Sequence, residues 1–297
     1  MQKIIPHLWY DDKAEEAVSL YASIFKNSKI GSVTRYGEAG AKVAGRPKGS
    51  VLTVTFELEG QRLIALNGGP LFSFTPAVSF FVSSENPAEI DHRWRRLSEG
   101  GTALMELDKY PFAEKFGWLQ DKYGLSWQLI LASHPQKIRP YLMFVGKQAG
   151  KAEEAMNHYV SIFPGSAIAR IERYGKGDQD PEGTIKHAVF SLSGQEFIAM
   201  DSALPHAFGF TEALSFLVDC QNQEEIDGLW ERLTEHGEEG QCGWLKDRYG
   251  LSWQISAAVL NEMLEDPDPE KSERVMKVLL QMKKIDIQAL RRAYEGR

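Results

Sequence analysis

The residues of this chain whose types and spacing could do chemistry are few and mostly uncharged. His7 and Trp9 are two positions apart on the first predicted strand, so they point to the same face of that strand. Gln128 lies on the last strand of the same repeat, and Asn67 ends a strand between them. Polar tips on apolar walls are typical of small-molecule pockets, so we expect these four side chains to line one pocket. For His7, a hydrogen-bonded structural histidine is the alternative interpretation.

An internal repeat predicts a second pocket. The segment Asp121-Lys-Tyr-Gly-Leu-Ser-Trp-Gln128 returns as Asp247-Arg-Tyr-Gly-Leu-Ser-Trp-Gln254, and other landmarks recur in the same order. A period this long indicates two domains of one fold. The positions that correspond to the first pocket are Tyr141, Met143, Asp201 and Gln254.

Two features of the repeated segment are better explained by structure than by chemistry. Asp121 and Asp247 begin tight turns, in which an aspartate side chain bonds to nearby backbone N–H groups. Trp127 and Trp253 are expected to be core residues, because buried aromatic rings dominate the packing energy of a fold.

Each repeat is predicted to hold two units of strand, helix and three strands, which makes the fold class α+β. In repeat one the apolar patterns predict strands over 3–10, 29–36, 51–58, 61–67, 77–82, 102–107, 116–120 and 126–131, with helices after 13 and over 87–97. The domains are expected at 1–135 and 136–258, with a helical tail at 259–297. The glycine-rich segments 37–49 and 175–183 lack dinucleotide-binding spacing and are expected to be loops.

The tail carries an apolar stripe. Asp268 is a suitable N-cap before Pro269, and Val275, Leu279 and Met282 follow at helical spacing. Such a stripe must be covered, either by the body of the chain or by a second copy in a homodimer.

The composition indicates a soluble globular protein. The 297 residues carry a net charge of −7, which argues against a nucleic-acid partner because phosphate binding needs clustered Lys and Arg. No apolar run is long enough for a membrane span, and the N-terminus does not read as a signal peptide, so we expect a cytoplasmic location. The two cysteines, Cys220 and Cys242, have no metal-ligand spacing and are expected to be inert thiols.

Paired units of this kind, with Pro6-His-Leu-Trp9 near the start and the Asp121–Gln128 segment near the end, resemble the vicinal oxygen chelate superfamily. That group includes glyoxalase I, bleomycin-resistance proteins and extradiol dioxygenases. The closer likeness is to its PhnB-like branch, often labelled 3-demethylubiquinone-9 3-methyltransferase domain, and the tail around Asp266-Pro-Asp-Pro-Glu270 also looks like that branch. The resemblance implies glyoxalase-like modules, each of which curls paired βαβββ units into a cup of mixed sheet. It also implies that the two modules pair within the chain.

The resemblance also implies where a metal would bind. Metal-dependent relatives use two histidines and a glutamate, and these positions fall on His7, about Ala77 and Gln128 in repeat one. In repeat two they fall on Tyr141, about Ala213 and Gln254. Only His7 is a strong ligand, since an amide oxygen binds divalent ions far more weakly than a carboxylate does. We therefore expect no cofactor; a divalent metal held by His7 and Gln128, with His187 from the other repeat, is the alternative.

Three functional hypotheses follow. The first is a binding module whose cups hold a small organic ligand, as in drug-sequestering relatives. The second is a metal-dependent lyase, isomerase or dioxygenase of the glyoxalase type that uses His7. In the third, one repeat is purely structural and the repeat with His7 carries the site. The methyltransferase label is unsupported, because the glycine-rich strand-to-helix turn of a cofactor-binding methyltransferase is missing.

Overall fold

The computed structural model describes residues 2–297 and shows the predicted α+β fold. Repeat one contains, in chain order, β1 (Ile4–Tyr10), α1 (Ala14–Ile24), β2 (Lys29–Arg35), α2 (Glu38–Ala44), β3 (Val51–Leu58), β4 (Gln61–Asn67), β5 (Val78–Ser84), α3 (Pro87–Ser98), β6 (Thr102–Tyr110), β7 (Ala113–Gln120) and β8 (Ser126–Leu131). Repeat two contains β9 (Ile138–Val145), α4 (Ala152–Ile162), β10 (Ala167–Arg173), β11 (Ile185–Leu192), β12 (Gln195–Ser202), β13 (Leu214–Cys220), α5 (Gln223–Thr234), β14 (Glu238–Glu239), β15 (Trp244–Lys246) and β16 (Ser252–Ala257). The tail forms α6 (Ala258–Leu264), α7 (Pro269–Leu279) and α8 (Ile287–Glu295).

The strands form two mixed sheets, and each sheet takes one unit from each repeat. Sheet A has the order β14-β15-β16-β13-β1-β4-β3-β2, and sheet B has the order β10-β11-β12-β9-β5-β8-β7-β6. The first unit of repeat one therefore shares a sheet with the second unit of repeat two, and the two middle units share the other. The tandem modules and mixed sheets predicted from the sequence are confirmed, and the two modules exchange halves.

Hydrogen-bond register makes the two sheets equivalent. In sheet A, His7 lies opposite Ser215 where β1 and β13 pair. In sheet B, Tyr141 lies opposite Ser79 where β9 and β5 pair. An approximate twofold relation therefore places His7 and Tyr141 at equivalent positions of the two sheets.

The main core lies on the helix-covered faces of both sheets. Tyr21 on α1 packs its ring 5.1 Å from that of Trp127 on β8, which joins a helix of one sheet to a strand of the other. Tyr159 and Trp253 make the same contact at 5.4 Å in the other half. Both tryptophans are fully buried, so their predicted role in the core is confirmed.

The two turn aspartates hold this core together. The Oδ1 atom of Asp247 accepts hydrogen bonds from the backbone N–H groups of Tyr249 and Leu251, as predicted for an aspartate turn. Its Oδ2 atom accepts from the Tyr159 hydroxyl at 2.7 Å and from the Trp253 indole at 2.9 Å. Asp121 makes the same four bonds in the other half, so each carboxyl ties a helix, a turn and a strand to one another.

The prediction of a loop over 37–49 was wrong in part. Glu38–Ala44 forms the short helix α2, which ends at Gly45 in the left-handed conformation that glycine favours. The N–H group of Ala39 donates to Glu273 of the tail at 2.7 Å, so a carboxylate of the chain itself occupies this helix start. Segment 175–183 contains no helix or strand, as expected.

The tail packs on the body of the chain at sheet A. Val275, Leu279 and Leu290 are buried together with the main core, so the body covers the apolar stripe. Ser32 on β2 donates to Glu265 at 3.0 Å, and the N–H group of Cys242 beside β15 donates to the carbonyl of Met282 at 2.7 Å. The tail therefore contacts both ends of the strand order of sheet A.

Two further predictions concern the cysteines and the membrane. Burial raises the pKa of Cys220 to about 12 and that of Cys242 to about 11, so neither thiol is ionised near neutral pH. Within residues 2–297, no helix is long and apolar enough to cross a bilayer.

Candidate functional site

The face of each sheet that lacks the helices carries the candidate sites. We call these faces cup A and cup B. Cup A is the face of sheet A that holds Ile5, His7, Ser215, Leu217 and Gln254, which neighbour one another across three adjacent strands. Ile5 and Leu217 form a small apolar cluster with Ile64 that is separate from the main core.

Cup A has a row of uncharged polar groups at its centre. The amide of Gln254 donates to the Ser215 hydroxyl at 2.9 Å, and Ser215 lies opposite His7. All three side chains are buried. This row offers one imidazole, one hydroxyl and one amide to a bound molecule.

His7 is the most unusual group in cup A. It is 5% exposed, and its Nδ1 atom is buried without a hydrogen-bond partner in the described part of the chain. Burial lowers the pKa of His7 to about 3, because the charged form would lose its hydration. The imidazole is therefore neutral near pH 7, and its Nδ1 atom lacks the protein hydrogen bond that a purely structural histidine would make.

Aromatic rings form one wall of cup A. The Trp244 ring lies 5.8 Å from the His7 ring at 88°, and 5.9 Å from the ring of Trp9. Trp9 in turn packs against Phe72 at 4.9 Å and donates its indole N–H to the carbonyl of Gly69 at 2.7 Å. The wall is thus fixed by edge-to-face contacts and by one hydrogen bond.

Cup B is the face of sheet B that holds Ser79, Phe81, Gln128, Arg139 and Tyr141. The amide of Gln128 donates to the Ser79 hydroxyl at 2.9 Å, as in cup A. Phe81 stacks on Tyr141 with ring centres 5.8 Å apart. Phe81, Tyr141, Phe116 and Ile198 form an apolar cluster that is also separate from the main core.

Arg139 places a cation in cup B at a position where cup A has an isoleucine. Its guanidinium lies 5.4 Å over the Phe81 ring, and its Nη2 atom donates to the Ser83 hydroxyl at 3.0 Å. The Nη1 atom is 3.7 Å from Glu196. Burial lowers the pKa of Arg139, whereas Glu196 acts in the opposite direction. The equivalent residue in cup A is Ile5.

The predicted grouping of site residues was wrong in one respect. His7 and Trp9 belong to sheet A, whereas Gln128 belongs to sheet B, because the sheets exchange units between repeats. His7 therefore shares its cup with Gln254, and Tyr141 shares its cup with Gln128. Met143, two residues from Tyr141 on β9, lies in cup B beside Met200.

Asn67 and Asp201 do not line the cups. Asn67 is the last residue of β4 and Asp201 the last but one of β12, and both point to the helix side of their sheets. The Asn67 side chain accepts from the N–H group of Ala14 at 2.8 Å and donates to the carbonyl of Val51 at 3.1 Å. Asp201 accepts three backbone bonds, from Gly150, Ala152 and Ile185. Both residues anchor the start of a helix, because the first N–H groups of a helix need acceptors.

The donor groups of cup A do not fit a divalent metal ion. His7 is the only strong ligand in the row, and its neighbours Ser215 and Gln254 are neutral oxygen donors that bond to each other. No group of three or more His, Cys, Asp or Glu side chains comes together anywhere in residues 2–297. The alternative ligand set of His7, Gln128 and His187 is wrong, since β1 lies in sheet A and the other two residues lie in sheet B.

Comparison with known proteins agrees with this architecture. The family described as 3-demethylubiquinone-9 3-methyltransferase matches residues 2–130 and again residues 136–256. The chain belongs to this family. A search of curated proteins finds no match.

Two solved structures are among those similar to this chain. A putative 3-demethylubiquinone-9 3-methyltransferase, the PhnB protein from Bacillus cereus, is 45% identical over 44% of this chain and all of its own, with a TM-score of 0.41. Glyoxalase I from Zea mays is 9% identical, with 90% of this chain and 96% of its own covered and a TM-score of 0.57. At that identity the likeness shows the vicinal oxygen chelate fold alone.

Sequence reasoning missed several residues of the two cups. Ser79 and Ser215 recur in the two repeats, but only strand pairing places them beside Tyr141 and His7. Arg139 was detectable as the one charge in an otherwise apolar strand, at a position where repeat one has isoleucine. That difference between the repeats marks the two cups as chemically distinct.

Proposed function

We propose that this protein binds small organic molecules on the helix-free faces of its two sheets, without a catalytic metal. The observation that carries the proposal is the pair of apolar clusters in the cups, each separate from the main core. The core on the helix side already holds the sheets together. Apolar and aromatic groups gathered on the opposite face, around a few polar side chains, are typical of ligand pockets.

The polar groups support binding more than bond cleavage. A neutral His7 imidazole, a Gln–Ser pair in each cup and aromatic walls can accept or donate hydrogen bonds to a ligand. A histidine whose pKa is about 3 carries no proton to donate as a general acid near pH 7. Methyl transfer is left out of this function, because the glycine-rich strand-to-helix turn of a cofactor-binding methyltransferase is missing from the sequence.

A thermal-shift screen of small ring-bearing organic molecules tests the proposal. A ligand that binds only the folded state raises the melting temperature in a concentration-dependent way. We expect binding to be weakened by Gln254→Ala or Gln128→Ala, depending on the cup, and unchanged by Val43→Ser at an exposed site on α2. Compounds that bind all variants equally, or the absence of any hit, would contradict the proposal.

A further inference from the structure

Cup B contains a continuous row of aromatic rings. Tyr110 stacks on Phe112 at 5.6 Å, and Phe112 packs on Phe116 at 5.2 Å. Phe116 lies 6.4 Å from Phe81, which stacks on Tyr141. The row runs from the tip of the β6–β7 hairpin to the centre of the sheet. Phe112, at the tip, is 64% exposed, which is unusual for a phenylalanine in a soluble protein.

The β6–β7 hairpin has no counterpart of equal length in cup A. Between α5 and β16, repeat two has only the short strands β14 and β15. The space beside them is taken by the tail, since the N–H groups of Cys242 and Gly243 donate to the carbonyls of Met282 and Lys283. Cup A is therefore bordered by packed helices, whereas cup B is bordered by a two-stranded hairpin with exposed rings.

The positive charge of Arg139 in cup B is only partly balanced by nearby acidic groups. The Nε atom of Arg139 is buried and has no hydrogen-bond partner among residues 2–297. Glu196, the nearest acid, stays 3.7 Å from the guanidinium and lies closer to His134, at 3.2 Å. A buried guanidinium favours carboxylate-like partners that can bond to more than one of its N–H groups.

We propose that cup B takes a planar, ring-bearing organic anion whose rings stack along Phe112, Phe116 and Phe81 and whose acidic group pairs with Arg139. This inference rests on the proposed binding function and adds the ligand class and the cup. The aromatic rings of cup B supply apolar surface for the ligand. The acidic group of the ligand gives the Arg139 guanidinium a direct partner, since Glu196 lies 3.7 Å from it. A cation in this place would be repelled by the guanidinium.

Two fluorescent probes with nearly the same rings test the inference. Anilinonaphthalene sulfonate is an aromatic anion with a planar naphthalene ring, and phenylnaphthylamine lacks its acidic group. Binding of each would be measured by fluorescence titration against the wild type, Phe112→Ala and Arg139→Ile. The isoleucine is the residue that this chain itself has at the equivalent position of cup A. Val43→Ser, outside both cups, is the control, Phe72→Ala reports on binding in cup A, and thermal unfolding of each variant checks the fold.

We expect Phe112→Ala to weaken both probes by about three- to tenfold, through loss of one aromatic contact. Arg139→Ile should weaken the sulfonate by about tenfold or more and the neutral amine by less than about twofold, since only the anion loses a charge-assisted hydrogen bond. Val43→Ser, at an exposed site on α2, should change neither probe.

Other outcomes would overturn the inference in distinguishable ways. Equal weakening of both probes by Arg139→Ile would rule out a role for the anion. Binding that is lost in Phe72→Ala but kept in both cup B variants would place the ligand in cup A, so the proposed function would stand and this inference would fall. If neither probe binds, the inference fails, and the small-molecule screen separately decides the proposed function.

Discussion

His7 and Ser215 face each other on adjacent antiparallel strands of sheet A, although they belong to opposite repeats. The same exchange joins β5 of repeat one to β9 of repeat two in sheet B. Each cup is therefore complete only when both repeats are folded and paired. The linker between the repeats has no part in either sheet, because β8 ends at Leu131 and β9 begins at Ile138.

Cutting the linker should leave the protein intact. We expect a chain with a protease site at exposed Ser133 to remain one particle after cleavage, because backbone hydrogen bonds of two sheets join the fragments. Native mass spectrometry before and after cleavage would measure this. Denaturant should release the two fragments, which serves as the control. Separation of the fragments without denaturant would contradict the exchange of units.

The buried ion pair of Arg93 and Glu59 should contribute to the stability of the fold as a unit. The Arg93 guanidinium donates to Glu59 at 2.6 Å, and both side chains are almost fully buried. Repeat two has Leu229 and Ser193 at the equivalent positions, so Arg93→Leu and Glu59→Ser are matched substitutions. Arg93→Leu alone should cost about 3 kcal/mol, since it leaves a carboxylate buried without its main partner.

The double variant Arg93→Leu/Glu59→Ser should recover a large part of that loss, because no uncompensated charge remains. Denaturant unfolding of the four proteins in the cycle would measure the coupling. Additive losses would show that the pair acts as two independent residues.

The Asp247 carboxyl should be needed for the fold of its half. Asp247→Asn places an N–H₂ group where the Tyr159 hydroxyl and the Trp253 indole donate. We expect a cost of about 1–3 kcal/mol at pH 7, since a buried donor loses its acceptor. Asp121→Asn should have a similar effect, and Asp12→Asn, at an exposed position, should have little. Thermal or urea unfolding would compare them.

The same residue should make stability depend on pH. Burial raises the pKa of Asp247 to about 6, above the value of about 3.9 for an unfolded aspartate. Between these two pKa values the folded state binds more protons than the unfolded state. The contribution of the Asp247 carboxyl to the free energy of unfolding therefore falls as the pH rises from about 3.9 to about 6. The advantage of the wild type over Asp247→Asn should narrow by about 2 kcal/mol between pH 4 and pH 7. A constant difference would contradict the raised pKa.

His7 should make the folded state less stable as the pH falls, which is the opposite of the effect of Asp247. Its pKa of about 3 in the fold lies below the value of about 6.5 for an unfolded histidine, so the unfolded state binds more protons between them. The contribution of His7 to stability is therefore complete above pH 6.5 and is lost as the pH falls, by up to about 5 kcal/mol. His7→Tyr, which copies Tyr141, should resist acid better than the wild type. His92→Tyr, on the exposed side of α3, should not differ from it.

Metal content tests the choice between a binding protein and a metal enzyme. Protein purified without chelator and then incubated with divalent ions should contain far less than one equivalent of metal, because the row in cup A has a single strong ligand. Elemental analysis of wild type, His7→Ala and Tyr141→Phe would measure it. Near-stoichiometric metal that disappears only in His7→Ala would favour the glyoxalase-type alternative.

The sequence by itself determined the repeat, the order of elements and the role of the buried landmarks. Strand periodicity placed His7 and Trp9 on one face of β1, and turn chemistry explained Asp121 and Asp247. These inferences succeed because they depend on residues that are close along the chain, where alternation and turn geometry act directly. The loop prediction for segment 37–49 was wrong in part because the contact that caps α2 comes from Glu273, which is far along the chain.

Only the tertiary structure decided which residues share a cup. A strand carries its side chains on two faces but does not specify which strand pairs with it, so the sequence could not join His7 to Gln254 or Tyr141 to Gln128. It also could not show that Asn67 and Asp201 point to the helix side, since both sit at strand ends where alternation is easily misread by one position. The unpartnered Nδ1 of His7 and the partly matched charge of Arg139 likewise result from packing between distant segments, which sets burial and hydrogen bonding together.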